Sequence, residues 1–251
     1  MPLPAHALEE LRSIVSGVES RAGDEVRPFD LPVIDGRLAA GGLALPALHD
    51  AAARSSSLAD VAAATLFVAG TAGRLAAGRG VVAWIVTRFD LYGPGLEQAG
   101  LAGEDVLFAQ ARDDTEALAL AEDALADGSA GAVVAEVGVV PSIATRRLQL
   151  AAERSGTPVL LLRRWRKRDM CPLAAHSVAV TRWRIGTAPS VPLTVPGLGR
   201  ATWTVELVRQ RGGESFSLTL EACDGTGRLA LSAAAADRAP ASDRAAAARA
   251  A

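Results

Sequence analysis

Between residues 47 and 164 the chain alternates short apolar runs with segments of helical period. The runs are ALHDA (47–51), VVAWIVT (81–87), VLFAQ (106–110), AGAVVAEVG (130–138) and TPVLLLRR (157–164). Strands that are apolar along their whole length have both faces covered, which is the property of a parallel sheet with helical crossovers. The helical segments carry their own start and stop signals. Ser57 precedes SLADVAAATLFVAGTAGRLA (57–76), with Asp60 three residues on in a near capping box. DTEALALAEDALADG (114–128) has acids in its first turn and a glycine after its end. SIATRRLQLAAERSG (142–156) reads as a third helix. The spacing predicts an α/β fold, a mostly parallel twisted sheet with flanking helices.

After residue 164 the pattern changes. SVAVTRWRIG (177–186), TWTVELVRQRG (202–212) and SFSLTLEACD (215–224) have no helix between them and read as strands added by antiparallel pairing. Three regions are expected: an amphipathic helix (5–21) and linker within 1–24, the α/β domain over 25–230, and an Ala-rich low-complexity tail over 231–251 expected to be disordered. LPVIDGRLAAGGLAL (31–45) is Gly-rich and reads as irregular.

Composition excludes several function classes. There are 26 Lys+Arg against 28 Asp+Glu, so no global basic balance points to nucleic acid. Cys171 and Cys223 lack Cys-x-x-Cys spacing and His6, His49 and His176 are scattered, which argues against a disulfide framework or zinc site and suits a cytoplasmic location. No signal peptide or membrane-spanning run is expected, and no cofactor or metal.

The segment HDAAARSSSLAD (49–60) joins a strand to a helix where a P-loop would lie. A working P-loop wraps phosphate with glycine backbone N–H groups, a Lys and a Ser/Thr for Mg²⁺. Ala51, Ala52, Ala53, Arg54, Ser55, Ser56 and Ser57 include no glycine. Leu58 or Ala59 stands where the Lys belongs, and the chain's single lysine is Lys167. Asp50 and Asp60 would repel a triphosphate. The helix dipole at Ser55–Ser57 offers only about 0.3–1 kcal/mol. Nucleotide hydrolysis is not expected.

LLLRRWRKRDMCPLAAH (160–176) is the strongest local feature. Arg163, Arg164, Arg166, Lys167 and Arg168 surround Trp165, and Arg182 and Arg184 lie on the next strand. This pattern suits phosphate neutralisation with base stacking, a protein-docking hot spot, or a solvated face with Trp165 as a core plug.

The order of these elements resembles the ATPase core of RecA recombinases. More closely it resembles the ImuA family, RecA/SulA-like accessory proteins of bacterial mutagenic translesion cassettes. The stretches that carry the likeness are GGLALPALHDAAARSSSLADVAAATLFVAG, WIVTRFDLYGPGLEQAGLAGEDVLFAQARDDTEALALAEDAL, SAGAVVAEV, RRLQLAAERSGTPVLLLRRWR and VTRWRIGTAPSVPLTVPGLGRATWTVELVRQRGG. They span roughly residues 25–230. Set against RecA, Glu136 stands near the Walker B acid, and Arg88 and Phe89 stand where a water-activating glutamate belongs. Residues 163–168 fall at the second DNA-contacting loop.

The resemblance implies a RecA-like scaffold without catalysis in SOS-induced, error-prone synthesis. Its partners would be an ImuB-like Y-family polymerase homologue and a C-family error-prone polymerase, with RecA and single-stranded DNA as further candidates. The alternative it leaves is a SulA-like inhibitor of cell division.

Overall fold

The computed structural model describes residues 25–168, 170–190, 197 and 199–231. The helix expected at 5–21 and the tail at 233–251 lie outside the described residues, as do Pro196 and Leu198 of PGLGR.

A small ribbon of β1 (Val26–Arg27) and β2 (Leu43–Ala44) precedes the main sheet, with a four-residue helix α1 (Pro32–Asp35) between them. The stretch read as irregular from its glycines therefore holds three short elements. Asp35 fixes them: its carboxylate accepts the N–H groups of Phe29 at 2.7 Å and Leu31 at 3.0 Å.

The chain then runs through β3 (Leu48–Ala53), α2 (Leu58–Ala76), β4 (Val82–Val86), α3 (Gly93–Gln98) and β5 (Val106–Gln110). It continues through α4 (Asp114–Asp127), β6 (Ala132–Val137), α5 (Ser142–Ser155) and β7 (Val159–Arg163), and ends in β8 (Thr181–Ala188), β9 (Thr202–Gln210) and β10 (Phe216–Glu221). The sheet order is β10-β9-β8-β3-β7-β6-β4-β5. All strands from β8 to β5 run parallel, and β9 and β10 pair antiparallel. This corrects one expectation. The segment 177–186 does not extend the sheet antiparallel; β8 is parallel to β3, because the long connection 164–180 returns the chain to the opposite end before β8 begins.

Period-2 burial in the central strands builds two cores. Leu160, Leu162, Val134, Trp84 and Ile185 face α2 with Phe67 and Leu75. Val159, Leu161, Val133 and Ala135 face α4 and α5 with Leu118, Leu125 and Leu148. Trp183 centres the first core, 5.6 Å from Phe29, 5.8 Å from Phe67 and 6.0 Å from Phe216.

By length and hydropathy α2 would pass for a membrane span, but it is the core helix, more than half buried against the sheet. Gly70 lets the turn after α3 touch it: a Cβ there would lie 2.6 Å from the Ala99 carbonyl. The caps follow the sequence. Ser57 accepts from the Asp60 N–H, the Asp113 carboxylate accepts from Thr115 and Glu116, and Gly128 and Gly156 close α4 and α5 at φ 74° and 72°.

Candidate functional site at the carboxyl end of the sheet

The parallel strands β3, β7, β6, β4 and β8 end at one edge, where ligands bind in open α/β sheets. The turn after β3 and the loop after β7 meet there. Ala51, Ala52 and Ala53, read with the turn, are the last three residues of buried β3. The turn itself is Arg54–Ser57. Arg54 N–H continues the pairing to Ile185 O at 2.6 Å, and its side chain lies over Gly186.

Asp60 fills the inside of this turn. One carboxylate oxygen accepts from Ser55 Oγ at 2.6 Å, and the other from the Thr187 N–H at 2.8 Å and Thr187 Oγ1 at 3.0 Å. Burial works to raise its pKa, but the hydrogen bonds from Ser55 and Thr187 outweigh that and hold it below the usual carboxylate range. Trp165 seals the strand end from above, with Nε1 donating to Ala53 O at 3.0 Å. The space left among Ala53, Val61, Ala64, Leu162 and residues 163–165 is about 10 Å³, room for at most one water. Ser56, Ser57 and Leu58 are exposed on the outer side.

The basic loop divides into inward and outward halves. Arg163 is the last residue of β7 and fully buried. Its Nε donates to Gly138 O at 3.0 Å, and its Nη1 stands 3.7 Å from Asp50 Oδ2. Burial pulls its pKa down, with Asp50 opposing the shift. Arg182 reaches the same carboxylate from β8, Nε to Oδ2 at 3.1 Å, and donates to Ala175 O. Arg164 turns to the other face and donates from Nε to Glu136 Oε2 at 2.8 Å and from Nη1 to Thr65 Oγ1 at 2.9 Å. Trp84 Nε1 donates to the remaining oxygen, Glu136 Oε1, at 2.9 Å. Burial pushes the Glu136 pKa up, against the Arg164 charge and the two hydrogen bonds.

Arg166 is half-exposed and pairs with Asp114, with Thr87 Oγ1 at 3.4 Å. Its stem packs on Gly138, where a Cβ would lie 2.6 Å from Arg166 Cγ. Arg184 makes a two-point pair with Glu206 at 2.9 and 2.6 Å. Lys167 and Arg168 are exposed and have no ion pair among the described residues. Among the described residues the outward surface of the loop is thus Arg166, Lys167, Arg168 and the exposed Met170.

Sequence reasoning grouped these cations as one patch. It did not see Asp50 and Asp114 as the anchors that draw them apart. An acid inside an otherwise apolar strand, as in LHDAAA, was the available signal, since a buried carboxylate requires a partner. Other residues of note take the following places. His49 is buried, with Nε2 2.8 Å from Ala44 O and Nδ1 2.7 Å from Thr181 Oγ1. Arg147 pairs with Glu122, and Cys171 is half-buried. Arg88 and Phe89 are exposed after β4. Among the described residues no cluster of His, Cys, Asp and Glu is suited to a metal.

No family model matches the chain. Among solved structures, SulA from Pseudomonas aeruginosa aligns at 25% identity over 47% of this chain and 98% of its own, with a TM-score of 0.40. Protein ImuA of Caulobacter vibrioides, from strains NA1000 / CB15N and ATCC 19089 / CIP 103742 / CB 15, is 37% identical over 212 residues, 81% of this chain and 86% of the relative. That identity runs across most of both sequences, and the chain belongs to the ImuA family.

Proposed function

We propose that the chain is a non-catalytic accessory factor of SOS-induced, error-prone translesion DNA synthesis. It acts as a RecA-like scaffold in the cytoplasm that binds an ImuB-like Y-family polymerase homologue and supports a C-family error-prone polymerase. The observation that carries this reading is the 37% identity to Protein ImuA over 81% of the chain.

The geometry after β3 supports the non-catalytic part. A triphosphate needs a cradle of free N–H groups and a cation. This turn has Asp60 hydrogen-bonded inside it, Trp165 across the top and about 10 Å³ beneath. The RecA-like part is supported by a parallel core in which a four-residue turn joins β3 to α2.

The outward half of the basic loop favours a protein partner over DNA. Two exposed cations without an ion pair among the described residues and a paired Arg166 would neutralise few phosphates. Single-stranded binding through them would have a shallow salt dependence, ~0.7 per contact, and low affinity. Basic side chains beside an exposed Met170 suit a docking rim. RecA is a further candidate partner.

The test is epistasis. Deleting this chain's gene is expected to lower damage-induced mutation frequency to the level of an ImuB-type deletion, with no further drop in the double deletion. Unchanged mutagenesis in the single deletion would refute the reading.

A further inference from the structure

We propose that the amphipathic segment 5–21 docks, within the same chain, into the groove between α4 and α5; this surface is separate from the basic loop and does not depend on the role proposed above.

The groove is open, about 800 Å³, with Leu125, Ala126, Leu150 and Ala151 on its floor. Each helix leaves apolar residues exposed seven positions apart. On α4 these are Ala119 and Ala126; on α5 they are Ile143 and Leu150, 71% and 50% exposed. Residues seven apart return to one face of a helix, so the two helices offer two apolar rows to a third. Exposed apolar rows on a folded domain mark a contact surface. The rims carry both signs, Glu122 and Asp123 on α4 against Arg147 and Arg154 on α5. Such rims suit an occupant of mixed charge and not a polyanion.

The occupant follows from where the described chain begins. α4 and α5 both follow parallel strands, so both end at the amino edge of the sheet, at Gly128 and Gly156. Glu25, the first described residue, is held at that edge. Arg79 donates from Nη1 to Glu25 Oε1 at 3.0 Å and from Nη2 to Gly156 O at 2.7 Å, so one guanidinium joins the two. Ser155, beside Gly156, lines the groove. Residues 22–24 span up to about 10 Å, which carries the chain from Glu25 to the foot of the groove. A helix ending there and lying along the groove runs parallel to α4 and α5. The lengths agree: 5–21 as a helix is about 25 Å long, and α4 and α5, of 14 residues each, are about 21 Å. Leu8, Leu11, Val15 and Val18 recur at spacings of three, four and three, the pattern of a helix packed on helices. Glu10, Arg12, Glu19 and Arg21 border this stripe with both signs, as the rims do.

Amide hydrogen exchange on the full chain tests this. The 5–21 amides are expected to exchange about tenfold or more slowly than in Leu11→Asp/Val15→Asp, which breaks the stripe. Leu150→Lys on the α5 wall and Ala126→Glu on the α4 wall are each expected to release the same amides, while β6 and β7 stay protected. Leu107→Lys, at a similarly exposed apolar site on β5, is expected to leave 5–21 protected. Wild-type 5–21 amides that exchange as a free peptide would overturn the proposal. So would protection that survives both groove variants, or that Leu107→Lys also removes. Sedimentation distinguishes the remaining occupant. A dimer that Leu150→Lys dissociates would place the segment of a second copy in the groove, and would overturn docking within one chain.

Discussion

Glu136 and Arg164 show how much one side chain decides at the strand ends. Glu136 is nearly fully buried and receives Arg164 and Trp84. Arg164→Ala would leave a buried carboxylate without its cation, so a loss of about 3–5 kcal/mol is expected, read as a lower urea midpoint. Adding Glu136→Gln to that variant should recover part of the loss, because the uncompensated charge is then gone.

His49 makes a second prediction. A carbonyl can only accept, so the ring carries its proton on Nε2 toward Ala44 and accepts from Thr181 on Nδ1. Burial, opposed by the Ala44 hydrogen bond and Asp50, lowers its pKa from 6.5 to about 4. The unfolded chain therefore binds this proton more readily than the folded one. The stability this group contributes is complete above pH 6.5 and is lost as pH falls toward 4, by about 3 kcal/mol at most. Urea titrations across that range should show the slope, and His49→Asn should flatten it.

At the scale of elements, the loop after β7 divides into inward and outward side chains. Arg163, Arg164 and Arg182 are held inward by Asp50 and Glu136, whereas Lys167 and Arg168 are exposed. The double variant Lys167→Ala/Arg168→Ala is expected to keep the wild-type urea midpoint while weakening capture of the polymerase homologue. Arg163→Ala is expected to destabilise the fold first. Equal capture by the Lys167/Arg168 variant would move the docking surface elsewhere.

Part of this element was legible. The run RRWRKR announced cations and an indole beside a strand end, and the plug reading of Trp165 agrees with its bond to Ala53. The division was not legible, because it depends on carboxylates of other elements: Asp50, 132 residues from Arg182, Asp114, 52 from Arg166, and Glu136, 28 from Arg164. Ala52 and Ala53 were similarly read as turn, although β3 runs to Ala53. Alanine carries no strand signal of its own, and only the close approach of neighbours gives three alanines a place in a central strand.

For the whole molecule, strong periodicity sufficed for the elements. VLFAQ coincides with β5, and Ser57, Asp113, Gly128 and Gly156 cap where the sequence put them. After residue 164 the antiparallel pairing of β9 and β10 was legible, but the direction of β8 was not. A helix between strands implies a parallel crossover, but 164–180 crosses over as coil and leaves no periodic trace. The ribbon of β1 and β2 escaped for a related reason: two-residue strands are too short to have a period.

At this scale Asp60 fills the turn after β3 and Trp165 covers it, and the proposed role turns the carboxyl edge of the sheet toward a protein partner. The direct measurement is capture of the purified ImuB-like homologue by the purified chain, with and without ATP and Mg²⁺. Capture of equal strength is expected in both conditions. Capture that requires ATP, or no capture in either, would contradict this role.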